Sequence, residues 1–190
     1  MRSVGLFAIG AICGVLLMAW PKVAAHIRGA LHGVHEGQPG TNTGRAHTEE
    51  KFAFTANGSM EQVAPLFGAD KERVWAPHWD PQFIHPQPAS DEEGMVFAVA
   101  HQHLRSAWVN TAFDMKSGRI QYVYMIPDEL VTVITLNLRP QGQQTKVEVE
   151  YDRTALSPDA DTHVRHMAEG DRKSAPEWEQ QVNGYLAGRK

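Results

Sequence analysis

A chain of 190 residues, 42% hydrophobic and 21% charged, is long enough for one well-cored domain and too short for two comfortable ones. Its net charge of −4, without a cluster of lysine or arginine, argues against a nucleic-acid backbone as partner.

The first 25 residues differ in kind from the rest. After Met1 and Arg2, the run from Val4 to Trp20 ("VGLFAIGAICGVLLMAW") carries no charge, and Pro21 and Lys22 end it. Seventeen residues lie at the lower limit for crossing a bilayer and are slightly long for the apolar part of a signal peptide. Both readings bring the chain to a membrane. Cleavage after "KVAA", with Val23 and Ala25 at the small-residue positions, would release a body starting at His26; retention would leave a single N-terminal anchor. Charge does not settle the orientation, because Arg2 and the amino terminus stand on one side and Lys22 and Arg28 on the other. Export is expected, to the periplasm or the medium or to an anchored place in the cell envelope. Without residues 1–25 the body keeps 16 basic against 22 acidic residues, a net −6. The only cysteine, Cys13, sits in the apolar run, so the body has no means for internal disulfides or a thiolate metal site.

Residues 26–50 read as a flexible linker, with five glycines between Gly29 and Glu50 and no apolar periodicity. His26, His32, His35 and His47 lie in or beside it. On a tether without fixed geometry they read as solvated side chains more readily than as metal ligands.

Structured patterning begins at Lys51. "KFAFTAN" alternates Phe52, Phe54 and Ala56 at period two, as a half-buried strand does. Ser59 with Gln62 makes a capping box ahead of Val63, Leu66 and Phe67, a short helical stripe that Gly68 ends. A second helical turn is expected from Asp70 through "KERVW". The segment 72–86, "ERVWAPHWDPQFIHP", packs two tryptophans, two histidines and three prolines into fifteen positions. Pro77, Pro81, Pro86 and Pro88 are expected to exclude regular structure until about Gly94.

Five strand-like runs follow, at 95–103, 106–114, 119–126, 130–138 and 145–156, joined by connectors short enough for hairpins. They predict an antiparallel meander. In the last run Val147, Val149, Tyr151 and Arg153 share one face, opposite Lys146, Glu148, Glu150 and Asp152. The chain then turns helical. Ser157 and Pro158 open a weak stripe of Val164, Met167 and Ala168, and a second capping box, Ser174 to Glu177, opens the stripe Trp178, Val182, Tyr185 and Leu186. That stripe needs an apolar surface, and the inner face of the sheet is the one large enough.

A strand, short helices, a continuous meander and a C-terminal helix laid across it is the element order of the helix-grip fold. The phrases "VAPLFGADKERVWAPHWDP", "VEVEYDRTAL" and "APEWEQQVNGYL" resemble the START-like, or SRPBCC, superfamily over residues 51–187. That group includes polyketide cyclases, lipid-transfer domains, pathogenesis-related allergens and activators of a heat-shock chaperone. The resemblance implies an α+β helix-grip domain, a curved antiparallel sheet of about six strands wrapped on the last helix. It also implies an apolar cavity between the two for a lipid-like or aromatic small molecule. Fold alone does not decide between binding, a cyclase- or dehydratase-like reaction in the same cavity, and protein interaction of the chaperone-activator kind. No cofactor is called for.

The residues themselves supply candidates. Trp75 and Trp79 are large enough to wall or cap an apolar interior, with ligand contact as their second role. Trp108, Tyr122, Tyr124, Tyr151 and Trp178 read as core or as cavity lining whose polar tips orient a ligand. Arg153 continues an apolar face, so it meets either a structural carboxylate, such as Asp80, Asp114 or Glu177, or a ligand. His101 and His103, one residue apart on a strand, share a face and form a weak candidate metal pair. A cupin-like set would need a glutamate in "LRSAWVN", which has none. An acid/base pair would draw on His85 or His101 with Asp80 or Asp114.

Overall fold

The computed structural model of the chain describes residues 44–101 and 104–188. The apolar run 1–25, most of the linker 26–50 and His103 lie outside the described residues. Seven strands form one open antiparallel sheet: β1 (His47–Ala56), β2 (Gln82–His85), β3 (Val96–His101), β4 (Leu104–Asp114), β5 (Arg119–Ile126), β6 (Leu130–Gln141) and β7 (Gln144–Ala155). Their spatial order is β1-β7-β6-β5-β4-β3-β2. The meander from β3 to β7 is the one predicted by the five alternating runs, because hairpin connectors pair each strand with the one before it.

Both edge strands of the sheet differ from the sequence expectation. β1 starts at His47, four residues inside the segment read as linker, because it pairs with β7 from His47↔Thr154 to Ala56↔Thr145. The partner strand decides its length, and "HTEE" carries no local signal of it. The other difference is β2, which raises the strand number from about six to seven. It occupies Gln82–His85, between Pro81 and Pro86, and pairs with β3 as the last strand of the sheet. A proline beside an edge strand removes no ladder hydrogen bond, so the prolines flank this strand instead of forbidding it.

Three helices cover one face. α1 (Met60–Val63) runs into a 3-10 turn over Ala64–Phe67; a second 3-10 turn spans Lys71–Val74; α2 (Asp161–Asp171) and α3 (Ala175–Gly188) close the chain. At the start of α1 the Ser59 N–H donates to Gln62 Oε1 at 3.0 Å, the reciprocal half of the predicted capping box. α2 and α3 both lie against β1, and α2 also reaches β7. Period-two alternation sends Ile120, Tyr122, Tyr124 and Ile126 of β5, and Val147, Val149, Tyr151 and Arg153 of β7, to the covered face. The turn before β5 depends on Gly118, whose φ is +77°. A Cβ there would run into the Leu138 carbonyl oxygen, while the glycine's own carbonyl accepts from Leu138 N–H at 2.8 Å.

Candidate functional site

The covered face of the sheet is aromatic, and its rings fall into two groups. On the side of β1, Trp178 of α3 meets Phe52 edge-on at 5.4 Å, Trp75 at 5.6 Å, Phe54 at 6.1 Å and Phe67 in a stack at 6.2 Å. On the side of β3 and β4, Trp108 stacks on Tyr124 at 4.2 Å and on Phe97 at 5.4 Å, with Trp79 edge-on at 5.6 Å. Every aromatic residue proposed from the sequence is buried: Trp75 at 6% and Trp79 at 8% exposure, and Trp108, Tyr122, Tyr124, Tyr151 and Trp178 at 2% or less. They belong to the packed core between sheet and helices. Trp75 and Trp79 cover the interior from the side of the proline-rich segment, as walls that are themselves part of the core.

Two polar clusters are set into this aromatic face. The first is Arg153 on β7, at 0% exposure, whose Nη1 donates to Asp171 Oδ2 at the end of α2, itself at 0% exposure. The Arg153 Nε–H donates to Thr132 Oγ1 at 3.2 Å, and the guanidinium stands 4.7 Å over the Tyr151 ring. Burial pulls the Arg153 pKa down, but Tyr124, Asp171 and Tyr151 outweigh it, so the guanidinium stays charged. Burial pushes the Asp171 carboxyl up, and Arg153 draws it back only in part. Arg153 Nη2 and Asp171 Oδ1 are buried without a partner. The carboxylate expected for Arg153 thus exists, but it is Asp171 and not Asp80, Asp114 or Glu177. A helical signal could have found it, since Asp171 continues the buried stripe Val164, Met167, Ala168 at helical spacing.

The second cluster was not singled out from the sequence. It is built on the turn between the two 3-10 segments, whose backbone is tied down atom by atom. Leu66 O accepts from Trp75 Nε1 at 2.6 Å, Phe67 O from the Tyr122 hydroxyl at 2.8 Å, Gly68 O from Glu72 N–H at 2.8 Å, and Ala69 O from Trp79 Nε1 at 2.7 Å. The turn is capped by Asp91, which accepts from the N–H groups of Asp70 at 2.9 Å and Lys71 at 3.4 Å. A carboxylate from a later loop thus caps the turn, while the Asp70 side chain makes no cap hydrogen bond. Asp91 approaches so closely that a Cβ on Gly68 would collide with it. Under this cap sits Glu72, at 0% exposure, with neither carboxyl oxygen partnered. Burial first, and then the charge of Asp91, raises its pKa well above the ordinary carboxylate value, which favours the neutral acid.

The histidine candidates are not brought together. His85 ends the exposed edge strand β2, pairing beside Val96, while His101 lies at the other end of β3 opposite Leu104. Asp114 closes the far end of β4, about 30 Å along the strand from Leu104. It accepts from the N–H groups of Lys116 and Ser117 at 2.9 and 3.2 Å, and Asp80 faces Arg73 at 3.6 Å. The strand register thus sets His101 and Asp114 at opposite ends of the β3–β4 pair. Among the described residues, one group has metal-ligand atoms within 4.8 Å of one another: His47, Glu49 and Asp152. His47 and Glu49 are exposed, Asp152 partly so, and the three already answer one another, with His47 Nδ1 also 2.9 Å from Thr154 Oγ1.

No family model matches the chain, and no curated protein matches its sequence. Solved structures do match its fold. Norcoclaurine synthase from Thalictrum flavum, in complex with dopamine and hydroxybenzaldehyde, superposes with a TM-score of 0.58 at 9% identity, over 85% of this chain and 99% of that one. The protein MLL2253 from Mesorhizobium loti gives 0.56 at 15% identity, over 75% and 99%. Ara h 8.0201 gives 0.52 at 11% identity, over 75% and 99%. At such identities the likeness speaks for architecture alone. An open antiparallel sheet laid over a C-terminal helix, matched across nearly the whole of each of these proteins, gives this chain a helix-grip fold.

Proposed function

We propose that this protein is an exported or membrane-tethered START-like domain that binds a hydrophobic small molecule, lipid-like or aromatic, between its sheet and its C-terminal helix. One observation carries the reading: Arg153 and Asp171 are fully buried on an aromatic face and still have spare hydrogen-bonding capacity, at Nη2 and Oδ1. Small-molecule sites have this composition, an apolar lining with a few polar groups that fix orientation. A buried guanidinium nitrogen without a partner is costly, and a ligand oxygen would offset that cost. The matched norcoclaurine synthase holds small aromatic molecules on the same architecture, which supports an aromatic body for the ligand.

The test is native mass spectrometry of the full chain taken from its cellular fraction. A discrete mass excess of one apolar molecule per chain, released by organic extraction, is expected. A bare chain that also takes up no fatty acid, sterol, flavonoid or naphthalene at one per chain would refute the proposal. The location rests on the uncharged run Val4 to Trp20. Fractionation of cells making the full chain with a C-terminal tag is expected to place it in the envelope or the medium. Recovery of the intact chain from the cytosol alone would remove that part of the reading.

A further inference from the structure

Glu72 is the buried polar side chain of the turn 66–72, and its carboxyl oxygens have no partner. The carbonyls of Leu66, Phe67, Gly68 and Ala69 are each taken, by Trp75, Tyr122, Glu72 N–H and Trp79, and the N–H groups of Asp70 and Lys71 go to Asp91. These groups of the turn are thus committed to other partners, and the Glu72 carboxyl is at 0% exposure with both oxygens unpartnered. Buried polar groups are nearly always hydrogen-bonded, and an exception asks for a partner from outside the chain. Tyr122, part of the aromatic surface that the ligand reading uses, lies close enough to Glu72 for the two to interact electrostatically.

We propose that the Glu72 carboxyl is the polar anchor of the ligand site, and that it pairs with an uncharged group offering an acceptor and a donor side by side, such as an amide or a lactam. The inference rests on the hydrophobic-ligand reading above. Three features select an uncharged partner. Among the described residues, the charge that acts on Glu72 is the Asp91 carboxylate, held by two backbone N–H groups, and it disfavours a second negative charge. Burial favours the neutral acid, whose two oxygens present one donor and one acceptor. Bringing a cation into this interior would add its own desolvation cost, which an amide avoids in large part.

The experiment uses the full chain and three probes of one skeleton: naphthalene, 2-naphthamide and 2-naphthylmethylammonium. Binding is read by quenching of the buried tryptophans, alongside thermal melts of each variant. The wild type is expected to bind the amide about tenfold more tightly than naphthalene, the worth of one to two well-made hydrogen bonds. Glu72→Gln, which keeps an acceptor and a donor, is expected to retain that preference within about threefold. Glu72→Leu is expected to bind both neutral probes alike while melting at or above the wild-type temperature, since it removes an unsatisfied buried group. Equal binding of naphthalene and the amide by the wild type overturns the Glu72 inference and leaves the apolar-ligand reading standing, because naphthalene still binds. Preference for the ammonium overturns it in favour of an ionised anchor. Loss of the amide preference in Glu72→Gln also overturns it. Failure of all three probes in all variants overturns the Glu72 inference, while the apolar-ligand reading stands or falls on the mass-spectrometry test with fatty acid, sterol and flavonoid.

Discussion

Asp171→Ala is expected to destabilise the domain by about 3–5 kcal/mol, a third or more of the stability of a typical domain. The substitution leaves the Arg153 guanidinium at 0% exposure with Thr132 Oγ1 and the Tyr151 ring as its remaining partners. Unlike a buried lysine, arginine has no neutral form within reach, so the cost is not relieved by losing a proton. The pair also links β7 to the end of α2, so its loss frees a helix as well as a charge. The double variant Arg153→Met with Asp171→Leu is expected to recover most of the loss, because it removes both charges and keeps the volume. Urea unfolding of the two variants and the wild type measures this. A single variant within about 1 kcal/mol of wild type would show that water reaches the pair in solution.

Trp178→Ala is expected to cost a similar amount, about 3–5 kcal/mol. Trp178 is the point at which α3 is gripped: it touches Phe52 and Phe54 of β1, Phe67 of the first 3-10 turn and Trp75 of the proline-rich segment. A fourteen-residue helix is marginal in isolation, so α3 exists chiefly because this ring and Val182 are buried. The loss is therefore expected to appear in two measurements at once. Urea unfolding will show the lower stability, and hydrogen exchange will show loss of protection along Ala175–Gly188 beyond that of β5 and β6. Uniform loss of protection would mean that α3 opens only with the whole domain.

The element order was legible because alternation and helical spacing are local properties. "KVEVEYDR" can bury one face only, and that face holds Val147, Val149, Tyr151 and Arg153 in the structure as in the reading. The same holds for the Trp178 stripe of α3 and for the meander, whose short connectors leave antiparallel neighbours as the one arrangement. The burial of the eight proposed wall and ligand residues followed as well, since large aromatics and an arginine continuing an apolar face have few other places to go.

What the sequence could not determine was who meets whom across long separations. β1 is lengthened by a partner about a hundred residues away, β2 pairs between two prolines because its edge position needs no further donor, and Arg153 finds Asp171 because α2 folds back over β7. Glu72 is the clearest case. In "KERVW" it is one charged residue among three, and nothing local separates it from exposed Lys71 and Arg73. Only when the turn is pinned by Tyr122, Trp75, Trp79 and Asp91 does its carboxyl become enclosed without a partner. By itself the sequence determined which faces are apolar and in what order the strands and helices come, because those follow from side-chain periodicity. Tertiary structure alone decided the polar groups inside, because a buried carboxyl or guanidinium is defined by the partners that long-range packing brings to it or withholds from it.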